Sequence, residues 1–152
     1  MQKIPEEVIH FFQHQNFVIV STLDNRGFPH NSCKGIVKIE GKRFYLFDLY
    51  RGKTFKNLQH NLHLSITAVD EHKFRGYSLK GRGKIVKLVG SKKELIKDWD
   101  SIISRRVTHR LLKNIQGEKG HPTHPEVNLP SPKYLIEVKV EEVIDLKPKH
   151  IK

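Results

Sequence analysis

Residues 17–29 read FVIVSTLDNRGFP, and residues 43–61 read RFYLFDLYRGKTFKNLQHN. The first stretch runs from Phe17 to Leu23 in β-branched and aromatic residues. It then places Asp24, Asn25, Arg26 and Gly27, all turn formers, ahead of Pro29, which predicts a strand opening a hairpin. The second stretch begins as an aromatic strand, Arg43 to Leu49, dense enough in large side chains to predict cover on both faces. It passes into Arg51 to Asn61, where glycine, lysine and threonine precede a short helical turn. A second strand is expected from about His30 to Ile39, turned by Glu40, Gly41 and Lys42, so that the first three strands form a meander.

Working outward, Leu62 to Val69 alternates apolar and polar residues with period two, as a half-buried antiparallel strand does. Tyr77 to Val86 reads as another strand, with Gly81 and Gly83 permitting the sharp bending that barrel closure demands. Ahead of the sheet, Pro5 to Gln13 predicts a short helix. It has Glu6 and Glu7 in its first turn and Val8, Ile9 and Phe12 inward, placed to plug one barrel end. Behind it, Ser91 and Glu94 fit a capping box, and Leu95, Trp99, Ile102, Ile103, Val107 and Leu111 mark one face of a long helix. Gly117 to Pro132 is rich in Gly and Pro and predicts an irregular excursion, a candidate wall of the site opening. Tyr134 to Val140 is the last expected strand. The polar tail from Glu141 to Lys152 carries Val143, Ile144 and Leu146 as a further edge pairing. No repeat or linker divides residues 1–152, so one domain is expected, mainly β: a closed antiparallel barrel with helices.

Composition narrows the function. The chain has 152 residues, a size that buries a core without disulfides or structural metal. Its single cysteine, Cys33, cannot form an internal bridge, and MQKIPEEVIHFF lacks the pattern of a secretion signal, so a reducing cytoplasm is expected. Lys and Arg interrupt every apolar run, which predicts a soluble protein without a spanning helix. A net charge of +12, from 28 Lys and Arg against 16 Asp and Glu, attracts polyanions in general. The basic residues are dispersed, however, and not gathered with aromatics on one element as a nucleic-acid reader would have them. No dedicated nucleic-acid partner is expected.

The segment Arg51 to Asn61 carries the clearest chemistry. Gly52 lets backbone approach a ligand, Lys53 brings charge, Thr54 a hydroxyl, and the start of the turn presents unpaired N–H groups that suit an anion. Phe55 and Leu58 are placed to anchor the turn. An exposed basic helix capped by Asn61 is the plainer reading of the same spacing. The spacing is not that of a P-loop. His121, Pro122, Thr123, His124 and Pro125 form the tightest histidine cluster, without accompanying Cys or carboxylate ligands, so no metal is expected. Cys33 has no second cysteine for redox chemistry, and Trp99 reads as core.

The order V-I-V-S-T-L-D-N-R-G-F-P-H, F-Y-L-F-D, R-G-K-T-F-K-N-L-Q-H-N, L-S-I-T-A-V-D and F-R-G-Y-S-L-K-G-R-G resembles the pyridoxamine 5'-phosphate oxidase-like family of FMN-binding split barrels, over roughly residues 5 to 146. The resemblance implies an antiparallel, Greek-key-like split β-barrel, a homodimer, and FMN at the interface between protomers. It sets Ser32, Cys33, Lys34 and Gly35 against the flavin ring, with Phe47 and Asp48 lining the same pocket. Lys53 and Thr54 fall on the phosphate, and threonine in place of a second base leaves Arg51 or Lys56 to supply the missing charge. Arg75 and Gly76 match a position reaching the ring or phosphate end, and His30 is the one histidine beside the expected flavin edge. The C-terminal Arg-and-Trp signature of the vitamin enzyme itself is missing. The implied function is a flavin-dependent oxidoreductase taking a small-molecule electron donor or acceptor. A flavin-binding module without turnover, or the same barrel holding haem or a deazaflavin, stands as the alternative.

Overall fold

Gly35 divides the expected second strand in two. In the computed structural model, which describes residues 3–90, 94–118 and 125–150, β1 (Val18–Leu23) pairs with β2 (Pro29–Lys34), and β3 (Ile36–Glu40) pairs with β4 (Arg43–Asp48). These two hairpins do not continue into one another as a meander. With β5 (His63–Asp70), β6 (Arg75–Lys87) and β7 (Tyr134–Asp145) they form one seven-stranded sheet in the order β2-β1-β5-β6-β7-β4-β3, antiparallel throughout. The two outermost strands, β2 and β3, are therefore joined by one residue. A sheet whose opposite edges are covalent neighbours has to curl until the edges meet. The backbone N–H of Phe47 reaches across this seam to the carbonyl of Gly35 at 3.1 Å.

The inner face follows from strand alternation. Val18 and Val20 of β1, Leu64 and Ile66 of β5, and Ile136, Val138 and Val140 of β7 fill one core with Phe44 and Leu46. The helix α1 (Glu6–Gln13) caps it. Phe12 sets its ring edge-on to Phe44 with centroids 5.5 Å apart, and Phe11 meets Tyr77 at 5.2 Å. Phe11 thus takes an inward place that periodicity gave to Ile9, which is only partly buried. Each fully buried aromatic or branched side chain here contributes about 2 kcal/mol.

The β1–β2 turn is held by Asp24. Its carboxylate accepts the N–H of Phe28 at 2.9 Å and of Arg26 at 2.8 Å, and Gly27 takes the left-handed conformation at φ 83°. These backbone donors, Phe28 foremost, hold the Asp24 carboxyl below its ordinary range. A depressed carboxyl stabilises the hairpin above its unfolded pKa, and that stabilisation is lost as pH falls through the folded value.

On the outer face, α3 (Glu94–Ile115) packs across β3, β4 and β7. Trp99 meets Phe47 edge-on at 4.7 Å, in a second cluster with Tyr45, Leu88 and Leu135. Trp99 is core, as expected. The apolar stripe makes contact only as far as Ile103, and Leu111 is exposed. Ser91 of the expected capping box lies outside the described residues, as do His121 and His124. Within the Gly117 to Pro132 excursion, Pro125–Asn128 forms a 3-10 turn and Leu129 packs beneath α3. Among the described residues no helix is long and apolar enough to cross a membrane.

The tail is not separate from the last strand. β7 runs unbroken for 12 residues, with a register shift against β6 where Lys80 pairs with Glu142 and Gly81 with Val140. There the backbone of Lys139 comes so close that a Cβ on Gly81 would collide with its carbonyl oxygen. Gly81→Ala should therefore cost about 2–3 kcal/mol and lower Tm by several degrees, read by reversible denaturation. A variant as stable as the parent would show that β7 yields at this crossing.

Candidate functional site at the barrel seam

The Arg51 to Asn61 insert forms α2 (Lys53–His60), which packs against β1, β2 and β6. Thr54, Asn57 and Leu58, at positions i, i+3 and i+4, face inward, while Lys53 and Lys56 face out. Phe55 is only half-buried and packs on Tyr134 at 5.4 Å, so Leu58 is the true anchor. Arg51 lies over both Phe55 and Tyr134, its guanidinium carbon 5.7 Å from each ring centre.

The N-terminus of α2 is open. Gly52 stands at the cap position with no side-chain hydrogen bond to the helix, and the first turn contains no acidic residue. The first N–H groups of a helix have no intrahelical acceptor, and the helix dipole favours negative charge there. A Cβ at Gly52 would meet nothing within 4 Å, so space lies in front of those donors.

Side chains from three other elements converge on this turn. On β2, His30, Ser32 and Lys34 share one face, while Cys33 on the other face is exposed. The Ser32 and Thr54 hydroxyls are 2.8 Å apart. Asn57 donates its amide to the Thr22 hydroxyl of β1 at 3.0 Å, both groups being buried. Lys34 donates to Asp48 at 2.6 Å; their side chains are 13% and 0% exposed. The second Asp48 carboxylate oxygen is buried and has no hydrogen-bond partner among the described residues. This ion pair and hydroxyl contact tie β2 to the end of β4 and to α2, although β2 and β4 sit at opposite ends of the strand order.

Of the residues singled out from the sequence, Ser32, Lys34, Gly35, Phe47, Asp48, Arg51, Lys53 and Thr54 come together around the seam. Lys56 lies on the outer side of α2. Arg75 and Gly76 begin β6 elsewhere: Arg75 pairs with Glu7 of α1 at 3.8 Å, and Gly76 accepts the Leu146 N–H at 2.9 Å. Asn57 was missed. A polar residue four positions before Asn61 on an amphipathic turn was the available signal. Among the described residues no group of three or more His, Cys, Asp or Glu side chains is placed to hold a metal.

The family model for pyridoxamine 5'-phosphate oxidase matches residues 4–147 of this chain. The chain belongs to that family. Among solved structures, HupZ of Group A Streptococcus is similar at 21% identity and TM-score 0.67, covering 95% of this chain and 94% of that one. A protein related to general stress protein 26, of the pyridoxinephosphate oxidase family, from Clostridium acetobutylicum matches at 20% identity and TM-score 0.59, over 96% and 88%. HutZ, the heme storage protein of Vibrio cholerae, matches at 18% identity and TM-score 0.56, over 91% of each chain. At these identities the likeness shows the fold alone. No curated protein matches the sequence significantly.

Removing Lys34 would leave the Asp48 carboxylate buried and uncompensated. Lys34→Met is expected to cost about 3 kcal/mol, and pairing it with Asp48→Leu to restore most of that loss. A double-mutant cycle by chemical denaturation measures the coupling; a value near zero would mean that the pair does not hold the seam.

Proposed function

We propose that the chain binds FMN at the seam and works as a flavin-dependent oxidoreductase in the cytoplasm. The observation that carries this reading is the uncapped N-terminus of α2, open to solvent, with the Ser32 and Thr54 hydroxyls and Lys53 gathered beside it. That donor set suits a phosphomonoester: backbone N–H groups and hydroxyls can donate to its oxygens, and Lys53 offsets its charge. Arg51, stacked on Phe55 and Tyr134, is the nearer candidate for the second cation, since Lys56 faces away.

In this reading the β2 backbone from Ser32 to Gly35 lies along the ring. The bound flavin supplies the electron chemistry, and the protein supplies orientation and a dry wall. The Lys34–Asp48 pair holds β2 in place, and His30, on the same face as Ser32, is set to exchange a proton with a substrate at the ring edge. Arg75 and Gly76 reach the cofactor only if a second copy of the chain brings them, which is the reason to propose a homodimer. The exposed Phe28, Val69 and Phe74 at strand ends are apolar surface for such a contact.

The purified protein should be yellow, dimeric by analytical ultracentrifugation, and bleached by a nicotinamide donor with recovery on adding an acceptor. Lys53→Ala should weaken FMN binding about tenfold or more in a fluorescence titration, with an unchanged circular dichroism spectrum. Unchanged affinity would remove Lys53 from the anchor. FMN retained without turnover would make the protein a flavin-binding module. The likeness to a heme storage protein favours haem as the second reading, and a Soret band in place of flavin absorbance would select it. A deazaflavin would be recognised by the mass of the copurifying molecule.

A further inference from the structure

Thr22 interrupts the apolar inner row of β1. Val18 and Val20 face the core, and the next inward position carries a hydroxyl where an isosteric valine would continue the row. Among the described residues four polar or charged side chains are buried, Thr22, Asp48, Thr54 and Asn57, and three of them belong to α2 and to the β1 strand it packs on. Thr22 is 2% exposed and Asn57 8%, and the Asn57 amide nitrogen donates to the Thr22 hydroxyl at 3.0 Å.

Stability alone does not call for this bond. Replacing both partners of a buried hydrogen bond with apolar groups of the same shape is often neutral or stabilising. Leu58 already anchors the helix, since its Cδ2 lies 3.5 Å from the place a Cβ on Gly83 would occupy, in room that the glycine leaves. Burial is non-directional, however, so an apolar anchor by itself lets a short helix slide and turn on the sheet. A hydrogen bond fixes distance and direction. α2 has two of them to the sheet: Thr54 with Ser32 of β2 at 2.8 Å, and Asn57 with Thr22 of β1 at 3.0 Å. Tethers to two neighbouring strands, three residues apart on the helix, set both its depth and its rotation about its own axis. They therefore set where the first-turn N–H groups and the Thr54 hydroxyl stand relative to β2.

We infer that Asn57 and Thr22 are positioning residues for the phosphate, holding α2 at the height at which its first turn meets the phosphate while the β2 backbone meets the ring. The inference rests on the FMN site proposed above. Thr22 lies beneath the helix, so it acts on the ligand only through Asn57. Carbon atoms pack at about 3.5–4.0 Å, so an apolar pair in place of the 3.0 Å bond would lift α2 from β1 by up to about 1 Å. That displacement lengthens the hydrogen bonds to the phosphate and leaves the β2 contacts to the ring in place.

The test titrates FMN, and riboflavin, which lacks the phosphate, into the full chain and follows flavin fluorescence. The parent should bind FMN more tightly than riboflavin. Thr22→Val, and the double variant Thr22→Val/Asn57→Leu, which leaves no amide unpaired, should each weaken FMN about tenfold or more and keep riboflavin within about twofold. Thr22→Ser, which retains the hydroxyl, should bind both as the parent does. A general loss of structure would lower both affinities together, so the ratio of the two reports position. Parent-like FMN affinity in both apolar variants, an equal loss for FMN and riboflavin, or a Thr22→Ser variant as impaired as Thr22→Val would each overturn the inference and leave the FMN site standing. A parent with no preference for FMN over riboflavin would overturn the placing of the phosphate at α2, and this inference with it.

Discussion

Closure of the sheet on itself rests on one short link, in which Lys34 ends one edge strand and Ile36 begins the other with only Gly35 between. Two edges of unpaired N–H and C=O groups are thereby brought together, and the contacts that fasten them are polar. The Lys34–Asp48 pair and the Phe47–Gly35 backbone bond cross this line, and the Ser32–Thr54 contact ties the β2 edge to α2. Ser32, Lys34, Gly35 and Thr54 also belong to the proposed FMN site. A barrel fastened by polar groups at its seam already presents charges, hydroxyls and free backbone donors where an anionic ligand would have to lie.

Such a seam has an energetic cost. A buried carboxylate with one unsatisfied oxygen is worth less to stability than an apolar pair of the same shape. The apolar barrel interior and the Trp99 cluster outside it offset that cost, and they lie on either side of β4, whose residues Phe44 to Asp48 are all buried. The aromatic density of β4 and the polarity of its last residue thus belong to one arrangement, in which two hydrophobic layers hold a polar fastening in register.

Much of this was legible in the residues. The period-two patterns of β1 and β5, the Asp24 to Gly27 turn, the apolar face of α1 and the helix around Trp99 depend on local spacing, and local spacing is what a sequence displays directly. The division at Gly35 was harder to read because Asn31 to Ile39 looks extended throughout; only the partner of each half changes, and partners are set by tertiary structure. The same reason hid the unity of β7, since Glu141 to Asp145 loses one neighbour but keeps β6. In the site, Lys53 and Thr54 were visible as a glycine-led cationic turn. Asn57 was not, because its value comes from Thr22, which lies 35 residues away.

The position of β7 between β6 and β4 also bears on how the molecule is made. Its pairings join Arg43 to Lys139 and Phe44 to Val138, among the longest sequence separations in the sheet. Until those residues leave the ribosome, the β3–β4 hairpin has no neighbour on its inner side, and Phe44, Leu46 and Phe47 lack their β7 partners. Closure of the sheet must therefore wait for β7, and pairings of such long sequence separation are formed slowly.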